Sequence, residues 1–196
     1  TKTLRYEFDS NGNRLKMIDG EGGVTLYEYD RNNRLSKVTD PDGDVTRLEY
    51  DAAGRRSKLL LSNGVWTEYQ YDASSRVTSI LYRSRTNEVL MGFAYGHDVN
   101  GNRLYKRFAD GTQETYQYDD QNRLIHVTYR DGKFEDFTYD LLGNRISHNK
   151  NGVVTTSTFN AFNQLQTSLN TTTYSQTSFL WDGNGNLTHE YSGSGT

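Results

Sequence analysis

The groups able to do chemistry in this chain of 196 residues are acids, bases and tyrosines. There are 25 Asp and Glu, 22 Lys and Arg, 15 Tyr, four His and no Cys. Without Cys there is neither a disulfide framework nor a thiolate metal site. Three clusters place oxygen donors as the start of a calcium-binding EF-hand loop does: Asp9-Ser10-Asn11-Gly12-Asn13, Asp98-Val99-Asn100-Gly101-Asn102 and Asp182-Gly183-Asn184-Gly185-Asn186. That loop needs Gly at its sixth place and Glu at its twelfth. Counted from Asp9 those places hold Arg14 and Gly20, and counted from Asp98 they hold Arg103 and Ala109. The match fails, and the clusters read as turns. His97, His126, His148 and His189 have no repeated partner, and the carboxylates do not converge on a pair. No catalytic, cofactor-binding or metal-ligating residue is assigned, and the expectation is a chain that is not an enzyme and needs no cofactor.

What positions the acids is a repeat. An aromatic-acid pair recurs as Phe8-Asp9, Tyr29-Asp30, Tyr50-Asp51, Tyr71-Asp72, His97-Asp98, Tyr118-Asp119, Tyr139-Asp140, Phe159-Asn160 and Trp181-Asp182. Successive Asp or Asn numbers differ by 21, 21, 21, 26, 21, 21, 20 and 22. The step of 26 contains Arg83-Ser84-Arg85-Thr86-Asn87-Glu88, which lengthens one connection. So strict a period means one small unit copied nine times along residues 1–196, read as a single array. His97 then stands in an aromatic column as a packed substitute for Tyr.

Each unit reads as a hairpin. Three residues before each acid stand Tyr6, Tyr27, Leu48, Tyr69, Tyr95, Tyr116, Phe137, Ser157 and Phe179, which share a strand face with the residue before the acid. Polar residues such as Glu28 and Gln70 alternate between them, the half-buried strand pattern. Three residues past each acid come Gly12, Asn33, Gly54, Ser75, Gly101, Asn122, Gly143, Asn163 and Gly185. Gly and Asn tolerate positive φ, so this place is a turn corner, and the acid is expected to accept hydrogen bonds from the turn amides. A second strand leaves the corner in two forms. One continues directly with Arg34-Leu35, Arg76-Val77 or Arg123-Leu124; the other reads Asn13-Arg14-Leu15, Asn102-Arg103-Leu104 or Asn144-Arg145-Ile146. Taken as an inserted residue, the Asn would flip the strand, so the second form is expected to carry a bulge or a longer turn. At the far end, Asp42-Gly43, Asn63-Gly64, Asp110-Gly111, Asp131-Gly132 and Asn151-Gly152 signal further hairpin turns.

Composition sets limits on partners. The hydrophobic fraction is 33% and mean hydropathy is -0.87, low for a globular chain, yet aromatics reach 13% and stay in register. A net charge of -3 offers no basic patch for nucleic acid. No stretch has the length of a membrane span, and no signal peptide precedes the first unit. An opening without Met and a Ser192-Gly193-Ser194-Gly195 tail suggest a piece of a longer array. Arginines four or five residues after an acid suggest an ion ladder. Asn170-Thr171-Thr172 and Asn186-Leu187-Thr188 fit glycosylation sequons, triplets common by chance.

Tyr27-Glu28-Tyr29-Asp30-Arg31-Asn32-Asn33-Arg34-Leu35 and Tyr139-Asp140-Leu141-Leu142-Gly143-Asn144-Arg145 resemble the motif of the YD-repeat, or Rhs, family. The resemblance covers nearly the whole chain. Departures gather late, where Ser157, Asn160 and Gln164 replace the usual residues and the ninth unit lacks Arg. The family implies a long β-ribbon spiralling into a hollow shell around a C-terminal toxin in exported bacterial proteins, with a similar shell in animal teneurins. Asp40-Pro41-Asp42-Gly43 resembles part of the self-cleavage motif of that family but sits early, in an inter-repeat turn, and is assigned no protease role.

The expected fold is all-β, a repetitive antiparallel hairpin ribbon or solenoid, with a propeller as the main alternative. The expected role is a non-catalytic segment of a secreted or cell-surface shell. Its partners would be neighbouring repeats and an enclosed toxin domain, with self-association through open strand edges, and without nucleic acid or membrane insertion. The alternative is a module binding carbohydrate or a cell-surface glycan through aromatic rings left open in shallow grooves; in the shell reading those rings are buried between rungs.

Overall fold

The computed structural model describes residues 2–194, and among them it holds eighteen β-strands and no helix. Thr1, Gly195 and Thr196, the extreme ends noted in the sequence, lie outside the described residues. Contact density divides the chain into two compact units. Unit 1 runs to Tyr95 and includes Phe108–Asp110; unit 2 takes Gly96–Arg107 and the chain from Gly111 onward.

In unit 1 the strands are β1 (Arg5–Phe8), β2 (Arg14–Ile18), β3 (Val24–Tyr29), β4 (Leu35–Thr39), β5 (Val45–Tyr50), β6 (Arg56–Leu60), β7 (Trp66–Tyr71), β8 (Val77–Arg83) and most of β9 (Val89–His97). Unit 2 holds β10 (Arg103–Phe108) up to Arg107, then β11 (Gln113–Tyr118), β12 (Leu124–Thr128), β13 (Phe134–Tyr139), β14 (Arg145–Lys150), β15 (Val153–Phe159), β16 (Leu165–Asn170), β17 (Ser175–Trp181) and β18 (Leu187–Ser194). Within each unit every strand pairs antiparallel with the next in the chain. A propeller would break the ladder into four-stranded blades. In unit 1 it runs unbroken from β1 to β9, so the fold is the repetitive hairpin ribbon.

The alternation behaves as the residue types dictate. Tyr27 and Tyr29 are half-buried while Glu28 between them is exposed, opposite Lys37, whose ammonium donates to Glu28 Oε1 at 2.7 Å. Lys16 and Glu7 make the same cross-strand pair at 3.0 Å. The aromatic columns, however, are not fully buried as expected. Val127 is the one large apolar residue among the described residues that is buried, and the columns remain half-covered. Each ring is covered by the rungs beside it, and at the first rung that cover is missing: Tyr6 is 44% and Phe8 60% exposed.

All nine sequence-assigned corners have positive φ, from 58° at Asn33 to 93° at Gly101. The backbone amide of the acid bonds the carbonyl four residues on, and the corner amide bonds back to the acid, as in Asp30 N to Arg34 O at 2.8 Å and Asn33 N to Asp30 O at 3.1 Å. This is a type I turn closed by a left-handed residue.

One sequence expectation needs correction. The Asn form of the motif contains no insertion. Phe8 pairs with Arg14 and Tyr29 with Leu35, so in both forms the residue before the acid opposes the residue five past it. Both forms carry the bulge: Arg14 and Leu15 oppose Phe8, and Leu35 and Ser36 oppose Tyr29. Asn13 therefore occupies the place of Arg34, and the Arg-Leu dipeptides of the two forms are offset by one residue. Consequently Leu15, Leu104 and Ile146 fall at the bulge and are exposed, whereas Leu35 faces the half-buried side.

The far-end turns, expected from their dipeptides, take two geometries. In Asp42-Gly43, Asn63-Gly64, Asp110-Gly111 and Asp131-Gly132 the Gly alone of each dipeptide has positive φ, and the turns at Asp40, Leu61 and Tyr129 repeat the geometry of the first corner. Asn151-Gly152 is a two-residue loop, with both residues left-handed, between the paired Lys150 and Val153.

Candidate functional site

The acid of each unit is the centre of its turn. Asp30 Oδ1 accepts the amides of Asn32 and Arg34 at 2.9 and 3.0 Å, and Oδ2 accepts Arg34 Nε at 2.7 Å. Asp51, Asp72 and Asp119 repeat this with Arg55, Arg76 and Arg123. In the other form an amide replaces the guanidinium: Asn13 Nδ2 donates to Asp9 Oδ2 at 2.8 Å, and Asn102, Asn144 and Asn186 do so to Asp98, Asp140 and Asp182. Asn160 keeps the turn bonds through its side-chain oxygen, and its amide donates to Gln164 Oε1 at 2.7 Å. Asn160 and Gln164 are thus a paired, neutral solution of the same geometry.

These bonds fix charge. The Arg34 side chain, followed by its backbone amide, holds the Asp30 carboxyl below its ordinary value. At Asp51 the Arg55 amide leads, and at Asp9 the Asn13 side chain. In the Asp9 and Asp182 clusters the carboxylate lone pairs go to these turn donors.

Arginine also joins one hairpin to the next. The guanidinium carbon of Arg34 lies 4.5 Å from the ring centre of Tyr50, that of Arg55 4.6 Å from Tyr71, and that of Arg123 4.8 Å from Tyr139. Arg55 and Arg123 each donate to the next acid's backbone carbonyl, of Asp72 and Asp140, at 3.0 Å. The aromatic before each acid reaches the opposite way. Tyr29, Tyr50, Tyr71 and Tyr139 donate their hydroxyls to the carbonyls of Arg14, Leu35, Arg56 and Leu124 in the preceding unit, and Trp181 Nε1 donates to Leu165 O at 2.8 Å. Those hydroxyls are structural donors rather than groups left at a wet edge.

Not every repeat-defining residue joins this network in the same way. Arg14, Arg103 and Arg145, one residue further from the acid, lie over Tyr27, Tyr116 and Phe137 instead. Tyr69, Tyr95 and Tyr118 sit half-buried in their columns, and Phe8 has no hydroxyl to donate. Gly12, Gly54, Gly101, Gly143 and Gly185 are the left-handed corners.

Sequence reasoning missed a second set of turn-organising acids. Asp19 Oδ1 accepts the amides of Glu21 and Gly23, both at 2.8 Å, and Asp40 accepts those of Asp42 and Asp44. The signal was present: Asp19-x-x-Gly22 and Asp40-x-x-Gly43 have the spacing of Asp51-x-x-Gly54.

One cluster in unit 2 departs from the repeat. Glu135 accepts Tyr129 Oη at 3.1 Å and lies 2.7 Å from His148 Nε2 and 3.7 Å from Lys150 Nζ. Glu114 accepts Tyr116 Oη at 2.9 Å, and His126 Nδ1 lies 2.6 Å from Asp136 Oδ1. Burial pushes the Glu135 carboxyl up, but the bonds from His148 and Tyr129 and the charges of His148 and Lys150 outweigh it and bring it below its ordinary value. Burial and then the Glu114 bond raise Tyr116. An acid held ionised with its oxygens already engaged is no proton donor at neutral pH. Among the described residues no group of three or more His, Cys, Asp or Glu is arranged to hold a metal ion. Also among them, no helix is long and apolar enough to cross a membrane.

Residues 29–65 and 97–133 match the family profile RHS Repeat. No curated protein sequence matches the chain. Among solved structures the fold is similar to a Photorhabdus luminescens Tc holotoxin pore, at 18% identity and TM-score 0.67 over 95% of this chain and 13% of that one. It is also similar to a TcdB2-TccC3 complex without its hypervariable C-terminal region, at 20% identity and TM-score 0.70 over 94% of this chain and 12% of that one. A TcdB2-TccC3-Cdc42 structure aligns at 17% identity and TM-score 0.64 over 96% and 13% of the two chains. The chain therefore spans roughly an eighth of the structures it matches.

Proposed function

We propose, from its membership of the YD/Rhs-repeat family, that the chain is a non-catalytic wall segment of an exported shell that encloses a C-terminal toxin or other cargo. The observation that carries this reading is the mutual pairing of its repeated acids, arginines and aromatics. The repeated acid spends its oxygens on its own turn, the arginine is shared between its own acid and the next rung, and the aromatic is tied to the rung before. A wall must be stiff, continuous and chemically quiet, and such a ladder is all three. The neighbours of similar fold come from Tc toxin complexes, which suits this role.

Glycan binding would need ring faces open to sugars. Guanidinium groups cover Tyr50, Tyr71 and Tyr139, which weighs against that alternative. The direct experiment is to delete this segment from its longer native array and assay protease protection of the C-terminal cargo. Protection lost on deletion supports the wall; protection retained, or tight glycan-array binding by the isolated chain, overturns it.

A further inference from the structure

The place four residues past the acid, and the corner of the following unit, covary along the array. Asn13 is followed by corner Asn33, Asn102 by Asn122 and Asn144 by Asn163. Arg34 is followed by Gly54, Arg55 by Ser75, Arg123 by Gly143 and Gln164 by Gly185. Contacts within each unit give the reason. The Asn form donates to the corner's side-chain oxygen: Asn13 to Asn33 Oδ1 at 3.2 Å, Asn102 to Asn122 at 2.7 Å and Asn144 to Asn163 at 3.1 Å. In the Arg form the guanidinium fills that space. Arg55 Nη1 lies 3.2 Å from Ser75 Oγ, a Cβ on Gly54 would stand 3.5 Å from Arg34 Nη1, and one on Gly185 would stand 3.4 Å from Gln164 Nε2. At Gly143 a Cβ would meet nothing within 4 Å. A short amide donates to an acceptor at the corner, whereas a long side chain reaches across a corner that is Gly or Ser, in contact with it at Ser75 and within contact distance of a Cβ at Gly54 and Gly185.

We propose that this pair of positions is a recognition code by which one hairpin selects its neighbour, and that it specifies the partner of the exposed outer strand. At β18, Asn186 Nδ2 donates to Asp182 Oδ2, and its second amide hydrogen has no partner among the described residues. Leu187, whose carbonyl stands at the acceptor place used by Leu35 and Leu165, is 48% exposed. The surface fits a further hairpin of the form Tyr or Trp, then Asp or Asn, two variable residues and an Asn corner. Docking there continues the rung interface already repeated within each unit. The first unit of this same chain is a poor fit, because its corner is Gly12 and Phe8 carries no donor. By the same logic a hairpin docking beside β1, whose corner is Gly12, would carry Arg or Gln at the selecting place. This code holds whatever the array encloses.

Two double-mutant cycles on the full chain test it, read by thermal unfolding and by amide exchange at the altered corner. Asn33→Gly should lower Tm by about 4–8 °C in the native background, the shift of about two lost hydrogen bonds, since Asn33 Oδ1 accepts from Asn11 as well as Asn13, and raise it in the Asn13→Arg background. Gly54→Asn should behave likewise, costly alone and tolerated with Arg34→Asn. A third pair of proteins extends the chain past Thr196 with a copy of residues 20–40, keeping the corner Asn or replacing it by Gly. The Asn version should protect β18 amides more strongly. Additive losses in both cycles would overturn the code, and equal protection by the two extensions would overturn its use at the outer strand.

Discussion

The hydroxyl of Tyr50 donates to the backbone carbonyl of Leu35 across 2.8 Å, binding each unit to the carbonyl row of the one before it. With Arg34 stacked on the same ring, Tyr50 is held from two sides by a single neighbour. Tyr50→Phe should keep the stacking and lose the bond, at a cost of about 0.5–1.5 kcal/mol. Tyr139→Phe, at the equivalent bond to Leu124, should cost a similar amount. Urea unfolding of the two variants measures this. Unchanged midpoints would mean that the hydroxyls bond equally well to water.

Replacing Gly54 or Gly143 by Val should destabilise the array by about 1–3 kcal/mol, because a β-branched residue resists positive φ. Both corners are left-handed, at 82° and 89°. Gly54 should suffer more, since its new side chain also meets Arg34, while the space around Gly143 is open. Repeats couple mainly to their neighbours, so hydrogen exchange should rise around the altered rung and little elsewhere.

The turn acids make stability depend on pH with a defined sign. Hydrogen bonds from Arg34, and backbone amides at Asp51, Asp72 and Asp119, hold these carboxyls below the ordinary value of 3.8. The unfolded chain therefore binds protons more readily than the folded one, and the stabilisation is present above that value and lost as pH falls through the lower folded ones. Melting temperature should be flat near neutrality and drop steeply below about pH 4. In Asp51→Asn the slope should be shallower, and a variant with the unaltered slope would deny that turn any share in it.

The turn bonds can be made by an uncharged acceptor oxygen, as at Asn160 and Gln164. Asp51→Asn combined with Arg55→Gln should accordingly melt closer to the native chain than Asp51→Ala, which removes an N-terminal turn acceptor of the kind worth about 1 kcal/mol. Equal losses for the two variants would contradict that ranking.

The columns and corners were legible in sequence because period and residue type coincide: Tyr or Trp, then Asp, then Gly or Asn at fixed offsets. The roles of Arg14 and Arg34 were not. Both precede a Leu, and only the register shows that Asn13, not Arg14, stands where Arg34 does. Asp19 and Asp40 escaped because their turns lack the aromatic marker. The half-burial of the Tyr columns follows from rings covered only by adjacent rungs, a fact of packing that alternation alone does not convey. Glu135 and His148 join through strand pairing across the hairpin, so no local spacing announces them.

The central claim is that this ladder is wall. The most direct measurement is protease resistance of a C-terminal cargo carried behind an array in which residues 1–196 are present or deleted in whole repeats. The wall account predicts a protected cargo in the intact array and rapid digestion after deletion. A cargo equally protected in both would contradict it.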